Sequence, residues 1–70
     1  MLPFSVIPKF PTLSSAKRFI YLNQLKQPNC RPGQALSNQY QLPKKLENAI
    51  YELDSIELVA REVIKYQTLN

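Results

Sequence analysis

The sequence predicts an all-α fold, a small bundle of three to four short helices with an extended proline-rich N-terminal arm. Apolar residues recur every three to four positions in the C-terminal half, and residues that cap or start helices precede these runs. Prolines at positions 3, 8 and 11 interrupt the beginning of the chain and predict the arm. The chain has 70 residues, so we expect a single domain over 1–70, with the arm at 1–13 and the helices at 14–70.

The arm should be extended because proline fixes its own φ near about −65° and disfavours a helix at the preceding residue. Its apolar side chains must be covered by something: they are Leu2, Phe4, Val6, Ile7, Phe10 and Leu13. Either they pack across the chain's own helices or they lie along a partner. We expect self-packing, because a chain this short buries only about 60% of its surface and needs its apolar residues for a core.

The first helix is expected from about 15 to 27, with its N-cap at Ser14 or Ser15 and its end before Pro28. Its run of apolar residues from 19 to 22 points almost all the way round a helix, which predicts burial on several sides. The cations of this helix occupy gaps between apolar residues and form no single stripe: they are Lys17, Arg18 and Lys26.

A chain reversal is predicted at Pro32-Gly33, where the only glycine stands at a position that favours positive φ. Two helical turns over 34–40 should follow, and then a helix that begins near Pro43. The residues expected to face inward from these two helices are Ala35, Leu36 and Tyr40, then Leu46, Ala49, Ile50 and Leu53.

The last helix is predicted to begin with a capping box, Asp54 as the cap and Glu57 reaching back to it. Its inward face is expected to hold Ile56, Val59, Ala60, Val63, Ile64 and Gln67. Both C-terminal stripes also fit one continuous helix, so one or two helices are open at this point. We favour a break at Asp54.

The composition argues against catalysis. There is no histidine, one glycine and one cysteine, Cys30, which excludes triads with histidine, a phosphate-binding glycine loop and a disulfide within the chain. We therefore expect a protein that is not an enzyme and has no cofactor or metal. Cys30 lies beside Arg31 and is either a reactive thiol or an unpaired, partly buried one, and we favour the second.

Charge is distributed unevenly. Residues 1–43 carry five cations and no acid, whereas residues 44–70 carry four cations and five acids. The basic half predicts an anionic partner or an acidic protein surface as much as an ordinary solvated surface. The four tyrosines are spaced as edges of a core rather than as base-stacking platforms. The candidate partner-binding residues are Lys9, Lys17, Arg18, Lys26, Arg31, Phe4 and Phe10.

From residue 31 to residue 66 the chain resembles short uncharacterised bacterial and phage-encoded proteins with an Arg-x-Gly-Gln-Ala-x-x-Asn stretch. The matching residues are Arg31, Gly33, Gln34, Ala35 and Asn38, and Leu36 replaces an aromatic residue. The resemblance implies an origin in a phage, prophage or plasmid and brings no particular activity. From the residues themselves, Gln34 and Asn38 lie four apart on one face and are expected to hydrogen-bond backbone across the turn.

Taken together, these features predict a small cytoplasmic, protein-binding inhibitor or adaptor that occupies the surface of a host protein. Anti-CRISPR or similar anti-defence activity is one concrete form, given the origin that the resemblance implies. A nucleic-acid-binding regulator and a structural accessory subunit are the alternatives, and a homo-oligomer is left open. No apolar run approaches the ~18 residues of a membrane span.

Overall fold

The computed structural model describes residues 7–69, which form four helices: α1 Leu13–Lys26, α2 Pro32–Gln39, α3 Lys44–Ile50 and α4 Ile56–Leu69. The all-α prediction is confirmed. Residues 51–55 separate α3 from α4, so the C-terminal region is two helices. Of the predicted arm, residues 1–6, Phe4 among them, lie outside the described residues.

Both predicted helix caps are wrong by one to three positions. Thr12, not Ser14 or Ser15, caps α1: the Ser15 N–H donates to Thr12 Oγ1 at 3.2 Å, and the Thr12 N–H donates to Ser15 Oγ at 3.3 Å. At α4 the Leu58 N–H donates to Ser55 Oγ at 3.3 Å, so Ser55 takes the place expected for Asp54. Ser55 is the cap because α4 begins at Ile56, which leaves Asp54 one position too early, and the Asp54 carboxylate pairs with Arg31.

The core lies where α1 packs against α2 and α4, and where α3 packs against α4. Its buried members are Ala16, Ile20, Leu36, Leu46, Ile50, Val59, Ala60 and Val63. The predicted inward faces of α2 and α4 are therefore confirmed. Ala49 is the exception and is exposed, because it lies about 100° around α3 from the buried Ile50 and so falls outside the face that contacts the core.

The single glycine is required for a reason other than the one predicted. Gly33 lies in the first turn of α2 and does not have positive φ. A Cβ atom at this position would lie 2.6 Å from the carbonyl carbon of Ile50, which is backbone and cannot move aside cheaply. Glycine thus lets the start of α2 meet the end of α3 at backbone contact.

The described part of the arm packs on the chain's own helices. The Gln67 side-chain amide donates to the Pro8 carbonyl oxygen at 2.9 Å and accepts the Phe10 N–H at 3.0 Å. The Phe10 ring lies 5.1 Å from the Phe19 ring, and Ile7 also packs against the core. Self-packing of the arm is therefore confirmed for residues 7–10.

Candidate protein-binding face

Three of the candidate partner-binding residues have partners within the chain. Lys17 Nζ lies 3.7 Å from Glu57 Oε1, and Arg31 Nε donates to Asp54 Oδ1 at 2.6 Å. The partly buried Phe10 ring packs against the Phe19 ring at an interplanar angle of 56°. The structure therefore uses these side chains to join its own elements.

The remaining described candidates are exposed and unpaired. Lys9, Arg18 and Lys26 make no ion pair or hydrogen bond through their side chains within residues 7–69. Arg18 and Lys26 belong to α1, whereas Lys9 belongs to the arm. The helix thus exposes two positive charges that have no partner among residues 7–69.

Large apolar side chains accompany these cations on the outer side of α1. Tyr21 is 50% exposed, Leu22 48% and Leu25 58%, so the prediction that this helix is buried on several sides is wrong. The reason is that the described helices that contact α1, namely α2 and α4, cover the side of it on which Ala16, Ile20 and Asn23 are buried. We call the exposed set the α1 outer face: Arg18, Tyr21, Leu22, Leu25 and Lys26.

The α1 outer face is organised in two rows along the helix. Arg18, Leu22 and Lys26 follow one another at four-residue intervals, and Tyr21 and Leu25 form the adjacent row at the same interval. Beside the second row, Tyr21, Gln24, Leu25 and Pro28 line a shallow groove of about 180 Å³. The face therefore combines apolar contact area, a groove and positive charge.

The outer side of α4 has a different character, although it also exposes a leucine, Leu58, at 50%. Arg61 donates to Glu57 Oε2 from Nη2 at 2.8 Å and from Nε at 3.0 Å. The hydrogen bond from Arg61, its charge and then the charge of Lys17 hold the pKa of Glu57 below its usual value of 4.5. Charges on α4 are thus largely balanced within the chain.

The side chains of residues 31–38 contact other parts of the chain and stabilise the fold. Gln34 Oε1 accepts the Arg31 N–H at 3.4 Å, as expected, while Ala35 is buried. Asn38 Nδ2 donates to Gln27 Oε1 at 2.9 Å, so it binds a side chain across the turn rather than backbone. These residues have roles in the fold, so the stretch offers no separate evidence for a ligand-binding role.

The tyrosines divide into two pairs. Tyr40 and Tyr66 are partly buried and pack against the core, with the Tyr40 ring 5.3 Å from that of Phe19. Tyr21 and Tyr51, at 50% and 43% exposure, do not fit the predicted role at a core edge. Tyr51 lines an open depression of about 410 Å³ together with Asn48 and the two acidic residues Glu47 and Glu52.

Other chemistry is sparse in the part of the chain that the structure describes. Cys30 is a free, partly buried thiol whose sulfur lies 3.6 Å from Gln27 Oε1 and 3.7 Å from Asn38 Nδ2. Within the same residues, no group of three or more potential ligand side chains is arranged for a metal ion. None of the four described helices has the length and hydropathy that a membrane crossing requires.

Comparison with protein-family models, with curated proteins and with solved structures gives no match for this chain. The resemblance of residues 31–66 to phage-encoded proteins therefore stays a hypothesis. The α1 outer face lies outside that stretch and contains no recognisable motif. Side-chain exposure in the structure identifies this face. The one sequence signal for it is that α1 has more apolar residues than a single buried helix face can accommodate.

Proposed function

We propose that this chain is a non-enzymatic protein-binding inhibitor or adaptor that docks on another protein in the cytoplasm through the α1 outer face. The observation that supports the proposal is the exposure of three large apolar side chains, Tyr21, Leu22 and Leu25, on one side of one helix. Full burial of a leucine stabilises by about 1.5–3 kcal/mol, and these residues are only about half buried. A partner that covers them recovers the remaining part.

The setting in a phage or other mobile element, with a host protein as the target, belongs to this proposal and comes from the resemblance of residues 31–66. Anti-CRISPR or similar anti-defence activity is one form that such inhibition takes. Because the resembling stretch and the α1 outer face are different residues, the origin of the chain and its mode of binding are separate hypotheses.

The two alternatives receive less support from the arrangement of side chains. For nucleic acid, Arg18 and Lys26 lie about 12 Å apart along the helix, and the apolar Leu22 occupies the position between them where a phosphate contact would be favoured. For an accessory subunit that threads its arm through an assembly, residues 7–10 are already bound to Gln67. The exposed α1 outer face therefore fits a protein surface best.

Two leucine substitutions test the proposal. Leu22→Ser removes the centre of the α1 outer face, and Leu58→Ser removes an equally exposed leucine from α4. The full chain and both variants are used to capture proteins from lysate of a bacterial host, with nuclease present. We expect a protein that the natural chain and Leu58→Ser retain and that Leu22→Ser loses by at least about tenfold. Equal retention by both variants, or a capture that nuclease abolishes, contradicts the proposal.

A further inference from the structure

We infer that the partner segment is an amphipathic helix whose apolar anchor residues are flanked by glutamate or aspartate side chains. This inference rests on the proposed function and specifies the chemistry of the partner. It follows from the charges of the α1 outer face, from the spacing of its rows and from the groove beside them.

Charge complementarity is the first step. Arg18 and Lys26 have no carboxylate partner within residues 7–69, and the sequence from 1 to 43 contains no acidic residue at all. A basic partner surface would therefore meet unopposed like charge, while an acidic one would form new ion pairs at the edge of the contact. Such pairs favour the rate and specificity of association.

Spacing is the second step. Arg18 and Lys26 bracket Leu22 along one row, and Tyr21 with Leu25 forms the other, so the apolar centre is one to two helical turns long. A partner helix places anchor residues at intervals of three and four positions, which matches rows of this length. Its acidic residues would flank the anchors at the positions that face Arg18 and Lys26.

The groove is the third step. It is lined by Tyr21, Gln24, Leu25 and Pro28, and its volume of about 180 Å³ has room for one large side chain of the partner. Tyrosine and proline side chains have few rotatable bonds, so little conformational entropy is lost when an apolar anchor enters a groove that they line. The Gln24 side chain, which also lines the groove, donates to the Cys30 carbonyl oxygen at 3.2 Å and is positioned by this hydrogen bond.

A second copy of the chain is the less favourable occupant. Two α1 outer faces packed together bring Arg18 and Lys26 of both copies to one interface, which costs free energy. The acidic depression at Glu47 and Glu52 of a second copy has the complementary charge, so a head-to-tail contact is an outcome that the experiment must separate.

Selection from a peptide library tests the inference. The displayed peptides are amphipathic helices of about four turns with leucine or phenylalanine anchors, and each flanking position offers glutamate, glutamine or lysine. They are selected against the full chain. The selected peptides, here called winners, are labelled and titrated with the natural chain, with Leu22→Ser and with the double variant Arg18→Glu/Lys26→Glu. Lys65→Glu is the charge control, because Lys65 is an exposed lysine of α4. Circular dichroism verifies that each variant is folded.

We expect glutamate to be enriched at the flanks, and the winners to lose about tenfold or more in affinity for the double variant while keeping their affinity for Lys65→Glu. Winners that need Leu22 but show no flanking preference overturn this inference and leave the proposed function standing. Winners indifferent to both Leu22→Ser and the double variant contradict both. Concentration-dependent self-association that Arg18→Glu/Lys26→Glu abolishes, or binding of single-stranded DNA that the double variant loses and Leu22→Ser keeps, also overturns the inference.

Discussion

Residues 31–38 and the α1 outer face contrast in how their side chains are used. The first segment has the most distinctive pattern in the sequence, and its side chains contact other parts of the chain: Arg31 binds Asp54, Gly33 meets Ile50 and Asn38 binds Gln27. The α1 outer face has no distinctive pattern, and its apolar and cationic side chains point to solvent. In this molecule, the residues with the most distinctive sequence pattern are thus different from the residues that are exposed for binding.

A short stretch with a distinctive sequence pattern can therefore owe that pattern to packing within a small protein. Residues 31–38 combine a helix start and a close helix crossing, and both restrict the residue types that fit. A binding face only needs exposed area and charge, which many residue types supply. Substitutions should therefore reduce stability in the first region and affinity in the second.

The largest effect is expected for Gly33→Ala. The added Cβ would lie 2.6 Å from the Ile50 carbonyl carbon, so α2 and α3 must move apart. We expect a loss of about 3 kcal/mol in the free energy of unfolding, comparable with the roughly 3–5 kcal/mol available to a core of this size. Urea denaturation followed by circular dichroism measures it. Ser37→Ala in the same helix is the control, since its hydroxyl has no hydrogen-bond partner among the described residues. A Gly33→Ala variant as stable as this control would refute the close crossing.

A smaller effect is expected for Asn38→Ala. It removes the hydrogen bond to Gln27 that joins α2 to the preceding turn, and we expect a net loss of about 1 kcal/mol. Asn48→Ala is the matched control, because Asn48 is exposed in α3 and makes no such bond in the described part of the chain. Both substitutions gain the same helix propensity, so their difference in urea denaturation reports the contacts of Asn38 Nδ2 with Gln27 Oε1 and Cys30 Sγ. Identical stabilities would show that the bond contributes nothing.

The ion pairs of Glu57 predict a dependence on pH. Because the pKa of Glu57 is lowered in the folded state, the unfolded state binds more protons as pH falls below 4.5. The stabilisation is therefore present above that pH and is lost as pH falls through the folded-state pKa. Thermal melts between about pH 2 and pH 7 should show that Glu57→Gln differs most from the natural chain at neutral pH. Arg61→Gln should bring the folded-state pKa of Glu57 closer to 4.5, so the pH range over which its stabilisation is lost becomes narrower. An unchanged pH range would contradict the Arg61 contact.

The smallest effect on stability is expected on the α1 outer face. Leu22→Ser and Leu58→Ser remove leucines of nearly equal exposure, 48% and 50%, from the outer sides of α1 and α4. Their free energies of unfolding should agree within about 0.5 kcal/mol, as is usual for surface positions. Urea denaturation of both variants provides the comparison. A much larger loss for Leu22→Ser would mean that this leucine belongs to the core, and the contrast between the two regions would fail.

Much of the fold follows from local pattern. Apolar spacing predicts which helix faces are buried, as it does for Leu46 and Ile50 in α3 and for Val59, Ala60 and Val63 in α4. Apolar residues on one side of a helix are removed from water when that side packs against the core. The proline and glycine positions predicted a chain reversal at 32–33, but the turn lies at 28–30, and Pro32 and Gly33 begin α2. The helix starts were missed by one to three residues, since threonine and serine hydroxyls near each start compete as caps and only the backbone geometry selects one.

The sequence by itself determined that the chain is helical, that its front half is basic and that its residue types do not support the common catalytic arrangements. The tertiary structure alone decided which side chains remain available. Lys17 and Arg18 are adjacent in sequence, yet Lys17 turns to Glu57 while Arg18 faces solvent with Leu22. That difference depends on where α4 packs against α1, and a contact between residues 40 positions apart leaves no local trace in the sequence.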